Sequence, residues 1–164
     1  MACYLLTWNP FKTPWEDLEK DIDRCNRNKF LKLRWSCGVT KRIEKGNRLF
    51  MLRQAVEPRG IFASGWATSD VYEDDHWDWS SHMPTALYVN VRLDMLLNPK
   101  NERILTREEL KRAALGGMHW DCQASGVTIP DAIARELEKK WVALSKAKKT
   151  SKKQSKRGRG IRRA

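Results

Sequence analysis

The 164-residue sequence is poor in the signals that assign a chain to a class at sight. No uninterrupted apolar run approaches the roughly 18 residues a membrane span requires, and the opening MACYLLTW is too short for a signal-peptide core. No membrane partner is expected, and the expected compartment is cytoplasmic. Cysteine is sparse: Cys3, Cys25, Cys37 and Cys122 are irregularly spaced with no Cys-x-x-Cys pair, so reduced thiols are expected rather than disulfides. P-loop, Gly-x-Ser-x-Gly and His-Glu-x-x-His motifs are all missing. With three His residues, a metal nuclease has little to work with. Asp74-Asp75-His76 and His119-x-x-Cys122 place ligand types close together, but a closed zinc site needs four ligands, so neither a metal nor a cofactor is expected. Acids are absent beyond residue 145. Residues 146–164 carry ten Lys or Arg and so hold ten of the twelve excess positive charges, which leaves residues 1–145 nearly balanced. The basic run has no apolar period and is expected to be a disordered tail that attracts phosphate without reading sequence, or simply a linker.

Tryptophan, by contrast, is abundant, at eight residues. An apolar fraction of 41% excludes disorder over most of the chain, and the length suits one domain, 1–145, followed by the tail. CYLLTW suits a strand closed by Asn9-Pro10. Thr13-Pro14-Trp15-Glu16 is a capping box with Pro at the first helical position, and Trp15, Leu18, Ile22 and Cys25 follow at helical spacing. Residues 34–39 and 48–55 read as strands joined by a turn at Lys45-Gly46-Asn47. GIFASGWATS, 60–69, adds a strand whose glycines suit a sharp bend. In LYVNVRLDM, Leu87, Val89, Val91, Leu93 and Met95 alternate with Tyr88, Asn90, Arg92 and Asp94. Thr106 with Glu109 starts a helix that Gly116-Gly117 stops, and Pro130 opens a last helix with the stripe Ile133, Leu137, Trp141 and Leu144. Five or six strands with peripheral helices predict an α+β domain on a small, strongly bent sheet or barrel.

Several tryptophans stand in polar company at loops or strand ends: Thr7-Trp8-Asn9, Trp35-Ser36-Cys37, His76-Trp77-Asp78-Trp79, and His119-Trp120 near Gln123 and Ser125. A single such Trp is ordinarily core, its indole N–H merely needing a partner. Four together fit a pocket that stacks a ring and hydrogen-bonds its edge, as recognition of a nucleobase demands.

Trp8-Asn9-Pro10, Trp35-Ser36-Cys37-Gly38, GNRLFMLRQ, EPRGIFASG, His76-Trp77 and Ser125-Gly126-Val127-Thr128-Ile129-Pro130 occur in this order along the chain. Together they resemble an EVE domain of the PUA-like superfamily, closest to the EVE modules that precede HNH nuclease domains in modification-dependent restriction enzymes. The resemblance covers about residues 2–145. It implies a small bent β-barrel flanked by helices and a pocket for a modified cytosine, 5-methylcytosine or 5-hydroxymethylcytosine, flipped out of double-stranded DNA. On that basis the pocket is expected from Trp8, Asn9, Trp35, Ser36, Cys37, Gly38, Trp77, Trp120, Gln123 and Ser125. Trp35 with Trp8 or Trp77 would form the stack, Ser36, Asn9 and Gln123 would read the edge, and Cys37 would be a small inward side chain. Lys41, Arg42, Arg53 and Arg59 would hold flanking phosphates. Gly46-Asn47-Arg48 departs from the more usual Gly-Asp-Arg, which is expected to change a turn contact only. No nuclease half follows in this sequence, so the chain is expected to recognise rather than cut, with a nuclease supplied by another domain or chain. A reader of modified RNA, and an interaction domain whose tryptophans are all core, are the alternatives.

Overall fold

The computed structural model describes residues 2–78 and 80–160, without the side chains of 158–160. Trp79 of the aromatic segment and Arg162 and Arg163 of the basic run lie outside the described residues. The elements are β1 (Cys3–Trp8), α1 (Leu18–Asn28), β2 (Leu31–Ser36), β3 (Arg48–Arg53), β4 (Gly60–Ala67), β5 (Tyr72–Asp75), β6 (Thr85–Leu96), β7 (Leu105–Thr106), α2 (Arg107–Leu110), β8 (Val127–Ile129) and α3 (Asp131–Gly160). The strands form one mixed sheet ordered β2-β6-β4-β3-β1-β8, with β5 on β6 and β7 on β4. β1 and β3 run parallel, and the other pairings are antiparallel. The result is the α+β architecture expected, an open and bent sheet with helices at its periphery.

The physical reasons are local. β3 reads RLFMLR, buried at every position, as a strand covered on both faces should be. Phe50 on it meets Trp141 of α3 edge to face, with centroids 6.0 Å apart. β6 keeps the predicted alternation from Val89 to Asp94, with Val89, Val91 and Leu93 buried and Asn90, Arg92 and Asp94 exposed, whereas Tyr88, expected on the polar face, is buried. The sheet bends at two register shifts, between Met51 and Leu52 and between Ser64 and Gly65. A Cβ at Gly65 would lie 2.5 Å from the Arg92 carbonyl oxygen, so only glycine lets β4 and β6 approach at the bend. α3 is held through a polar set whose inner members, Ser64, Arg48 and Trp141, are buried. Ser64 donates to Asp94 at 2.5 Å and accepts from Trp141 Nε1 at 2.8 Å, and Arg48 bridges Asp94 and Glu138.

Four sequence expectations need correction. The helix started by Thr106 ends at Leu110 rather than at Gly116-Gly117, which lie in a separate 3₁₀ turn, Ala113–Gly117. α1 begins at Leu18, not at the Thr13 capping box, and Asp17 precedes it without a side-chain cap. Thr13 instead offers its carbonyl to Trp8 Nε1 at 2.7 Å, and Trp15 packs against both Trp8 and Trp35. A cap is worth about 1 kcal/mol, less than two aromatic pairs at about 0.5–1.5 kcal/mol each plus their burial. Residues 34–39 and 48–55 are not a hairpin: β2 pairs with β6, β3 lies between β1 and β4, and 37–47 is a connecting loop. In that loop Asn47 Oδ1 accepts from Glu44 N–H at 2.8 Å, the turn contact that the Gly46-Asn47-Arg48 departure touches. Finally, the basic run does not stand apart as a tail, since α3 continues through it to Gly160. Ala, Lys and Gln favour helix, cations near a helix C-terminus oppose its dipole, and Lys148 pairs with Glu102 at 2.9 Å.

Candidate functional site

The two outer strands of the bent sheet, β2 and β8, share no ladder among the described residues, yet their ends meet. Ser125, just before β8, donates from Oγ to the Ser36 carbonyl at the end of β2 (2.7 Å) and accepts from Thr7 N–H on β1 at 3.2 Å. Gly38 holds the following turn at φ +62°, and a Cβ there would stand 2.8 Å from the Ser125 carbonyl oxygen. The WSCG turn is therefore clamped backbone to backbone against Ser125-Gly126.

A cavity of about 440 Å³ opens at this seam, within the range of roughly 300–1,000 Å³ usual for ligand pockets. Its aromatic wall is Trp8, Trp35, Trp77 and Tyr88, and its polar groups come from Asn9, Ser36, Gln54, Gln123 and Ser125, with Arg34 and Lys12 at hand. Eight of the ten residues expected in the pocket thus meet around one cavity, and two do not. Cys37 points inward and is fully buried, its thiol donating to the Thr40 carbonyl. Burial pushes that thiol up to about 11, so it is protonated at neutral pH and no nucleophile. Trp120 is a core residue whose Nε1 donates to the Leu115 carbonyl at 2.7 Å.

The aromatic wall is not the pair of parallel faces expected. Trp8 is 5% exposed and edge-on to Trp15, so its ring belongs mainly to the core. Trp35 is half-buried, fixed by its Nε1 donating to the Thr7 carbonyl at 3.0 Å and backed by Trp15 with centroids 5.3 Å apart. Trp77 is 42% exposed and stacked on His76, and its N–H donates to Tyr88 Oη at 2.8 Å. Tyr88 in turn carries the Arg34 guanidinium 4.1 Å above its ring, while Arg34 pairs with Asp74. Trp35 and Trp77 are thus the rings that retain accessible surface.

The polar groups have a definite sense. Asn9 Oδ1 is taken by Phe11 N–H at 3.0 Å, so the Asn9 amide offers its NH₂ as a donor. Gln54 is the reverse: its NH₂ donates to the Cys122 carbonyl, leaving Oε1 as an acceptor. Sequence reasoning missed Gln54, Tyr88, Arg34 and Lys12. Tyr88 and Arg34 alternate with core residues on β6 and β2, a pattern that marks a polar face without marking a site. Gln54 carried no signal beyond standing at a strand end.

The four expected backbone contacts disperse. Lys41 and Arg42 are exposed on the loop beyond Gly38 and do not line the cavity. Arg53 is 6% exposed beneath Trp8, with Nη1 donating to the Glu57 and Pro58 carbonyls and a buried Nε without a partner. Burial lowers its pKa, but a guanidinium stays charged. Arg53 and Arg59, with Arg107, line a smaller cavity of about 140 Å³ that shares Asn9, Gln54 and Gln123 with the first. Arg59 is paired to Glu57, and Arg107 to Asp121, whose carboxyl Arg107 and Lys111 hold well below the usual range. Among the described residues no group of three or more His, Cys, Asp or Glu side chains is placed to hold a metal, and no helix is long and apolar enough to cross a membrane.

No family model and no curated protein matches the sequence. Solved structures do match. A protein from Pseudomonas syringae superposes with a TM-score of 0.57 at 15% identity, covering 83% of this chain and 97% of its own. A hypothetical protein from Leishmania major gives 0.59 at 14% identity, with 90% and 97% covered. Human THYN1, solved in complex with DNA containing 5-methylcytosine, gives 0.55 at 16% identity, with 84% and 95% covered. Likeness at these identities establishes the fold, which is the PUA-like, EVE-type architecture that the ordered motifs resemble.

Proposed function

We propose that this chain binds a modified cytosine flipped out of duplex DNA into the cavity at the β2–β8 seam. The observation that carries the reading is the cavity itself: accessible faces of Trp35 and Trp77 beside an amide donor on Asn9 and an amide acceptor on Gln54. Cytosine has the complementary edge, an exocyclic amine that donates and a ring nitrogen and carbonyl that accept. The shared fold with THYN1, seen in complex with DNA containing 5-methylcytosine, supports the same ligand class. Extrusion of a base costs a few kcal/mol, and stacking returns about 1–3 kcal/mol per aromatic contact. Two rings therefore suffice to offset the flip. Burying one methyl group adds roughly 0.8 kcal/mol, about fourfold in affinity, so a hydroxymethyl group meeting a polar partner such as Ser36 would be discriminated more strongly.

In this reading the smaller cavity, lined by Arg53, Arg59 and Arg107, receives a phosphate beside the flipped nucleotide. The chain supplies recognition, and cutting, where it occurs, falls to a nuclease on another domain or chain in a modification-dependent restriction or sensing system. The test is titration of the chain against matched duplexes bearing one cytosine, 5-methylcytosine or 5-hydroxymethylcytosine, with the corresponding RNA in parallel. A preference of threefold or more for a modified duplex, abolished in a folded Trp35→Ala variant, is expected. Equal affinity for all three duplexes refutes the reading, and a preference confined to RNA replaces DNA by RNA as the ligand.

A further inference from the structure

Helix α3 makes two separate surfaces of its sequence. Ile133, Leu137, Trp141 and Leu144 are buried against the sheet. Turned away from them, Arg135, Lys139, Lys146, Lys149, Lys153 and Lys156 recur at steps of three and four residues, completed at 142 by an exposed valine. Each of these cations is exposed. Steps averaging 3.5 residues keep them in one stripe that drifts only about 20° per seven residues. At 1.5 Å per residue the stripe extends about 32 Å. Glu136 and Glu138 lie between Arg135 and Lys139, and Lys139 pairs with Glu136 at 2.7 Å, but no acid interrupts the sequence from Lys140 to Lys156.

We infer that this stripe is a docking surface for the phosphate backbone of a nucleic-acid duplex, separate from the base cavity. Separation follows from the strands: α3 is anchored at Arg48 and Asp94, whereas the cavity lies at Gln54 and Tyr88. Asp94 and Tyr88 are six residues apart on β6, and Arg48 and Gln54 six apart along β3 and the residue after it, roughly 20 Å at about 3.3 Å per residue. The chemistry selects the partner. A membrane-surface helix must keep an apolar face free to insert, and the apolar face of α3 is already buried in the domain. Protein interfaces are built around aromatic or apolar anchors and are depleted in Lys, while this stripe offers Lys at regular intervals and Val142 alone. A row of cations about 32 Å long suits the dense charge of a duplex, one negative charge per about 1.7 Å of helix axis, where it would lie along about nine base pairs and meet phosphates wherever a strand passes beneath it. Such contacts carry no sequence information. They would hold the chain on DNA while the cavity samples bases. The inference stands whether or not the cavity binds a base.

The experiment measures affinity of the full chain for an unmodified 20-base-pair duplex across a salt series. It compares wild type with a variant carrying Lys146→Gln, Lys149→Gln, Lys153→Gln and Lys156→Gln, in which Gln preserves helix propensity. Each phosphate contact contributes about 0.9 to the slope of log affinity against log salt, so four lost contacts reduce its magnitude by about 3–4. A control removes the same charge elsewhere, with Lys20→Gln, Arg24→Gln, Lys32→Gln and Lys100→Gln, and is expected to keep most of the slope. A Lys→Arg version of the stripe guards against loss of the helix and should bind as wild type does. The inference is overturned if stripe and control variants lose slope equally, if the stripe variant loses none, or if polyglutamate of equal charge displaces the duplex as well as a second duplex does. The stripe variant is also titrated against the 5-methylcytosine duplex, where a modified-over-unmodified preference equal to wild type's is expected, which keeps failure of the stripe distinct from failure of the cavity.

Discussion

Asn9→Asp separates recognition from folding more cleanly than removal of any ring. In the native turn Asn9 Oδ1 accepts from Phe11 N–H at 3.0 Å, and an aspartate oxygen can do the same, so the turn survives. The other half of the side chain changes from an NH₂ donor to an oxygen that only accepts. Facing it in the proposed complex is the N3 or O2 of cytosine, also an acceptor. Leaving that base atom unpaired costs about 1–3 kcal/mol, a loss of roughly 5- to 140-fold at about 1.4 kcal/mol per decade, before any charge repulsion. Since Asn9 is only partly buried in the free protein, stability should change by no more than about 0.5 kcal/mol, as for most surface substitutions. The assay is fluorescence anisotropy with a duplex carrying one 5-methylcytosine, run beside thermal denaturation. Asn9→Ala is the comparison, because it removes both the donor and the turn acceptor and should lower the melting temperature as well. If Asn9→Asp melts like wild type and binds within twofold of it, the amide donor is not used and the proposed base orientation is wrong.

Three further outcomes follow from the same geometry. Gly38→Ala forces a Cβ to 2.8 Å from the Ser125 carbonyl in a left-handed conformation; the conformation alone costs about 1–2 kcal/mol, a fall in melting temperature of roughly 2–8 °C, and an unchanged melting temperature would mean the turn is not clamped. Ser64→Ala strips the partner from buried Trp141 Nε1 and from Asp94, and should cost about 1–3 kcal/mol by urea denaturation without altering base preference. Burial raises the Cys37 thiol from 9.0 to about 11 and Cys3 to about 12. The unfolded thiols ionise near 9 while the folded ones keep their protons, so their contribution is full below pH 9 and is lost as pH rises from about 9 toward 11. The urea midpoint should fall across that window and fall less in Cys37→Ala; identical profiles would contradict a neutral buried thiol.

How much of this was legible in the sequence depends on whether the cause was local. The alternation along β6, the apolar run of β3 and the stripe on α3 are periodic, and period is what a sequence displays. The capping box at Thr106 and Glu109 formed, whereas the one at Thr13 and Glu16 did not. The two motifs are equivalent in sequence, but only the second competes with three tryptophans that the fold brings together from positions 8, 15 and 35. Tryptophans in polar company marked residues that line the main cavity, but the same criterion put Trp120 there, whereas its ring is buried in the core and borders only the smaller cavity. Gln54 escaped notice because its role depends on Cys122 taking one end of its amide, a contact between residues 68 positions apart. The division at residue 145 followed composition, but α3 shows that a charge run can prolong a helix whose folding is secured upstream.

The placement of the three linked tryptophans bears on affinity as well as on folding. Trp8 is mainly core, Trp15 bridges, and Trp35 is the one of the three that presents accessible ring surface to the cavity. A stacking residue on a free loop must be ordered when its ligand arrives, at about 0.5–1.5 kcal/mol for a mobile side chain. Trp35 meets that cost on folding, because its indole N–H is already held by the Thr7 carbonyl and its inner face by Trp15. Trp77 has no such backing: it is 42% exposed and rests on His76. The two walls of the cavity therefore differ in kind, one preformed and one free to adjust over an incoming ring. In the proposed complex the asymmetry would suit entry of a base from a helix, since a cavity rigid on both sides would obstruct entry and one mobile on both sides would forfeit the stacking energy that offsets the flip.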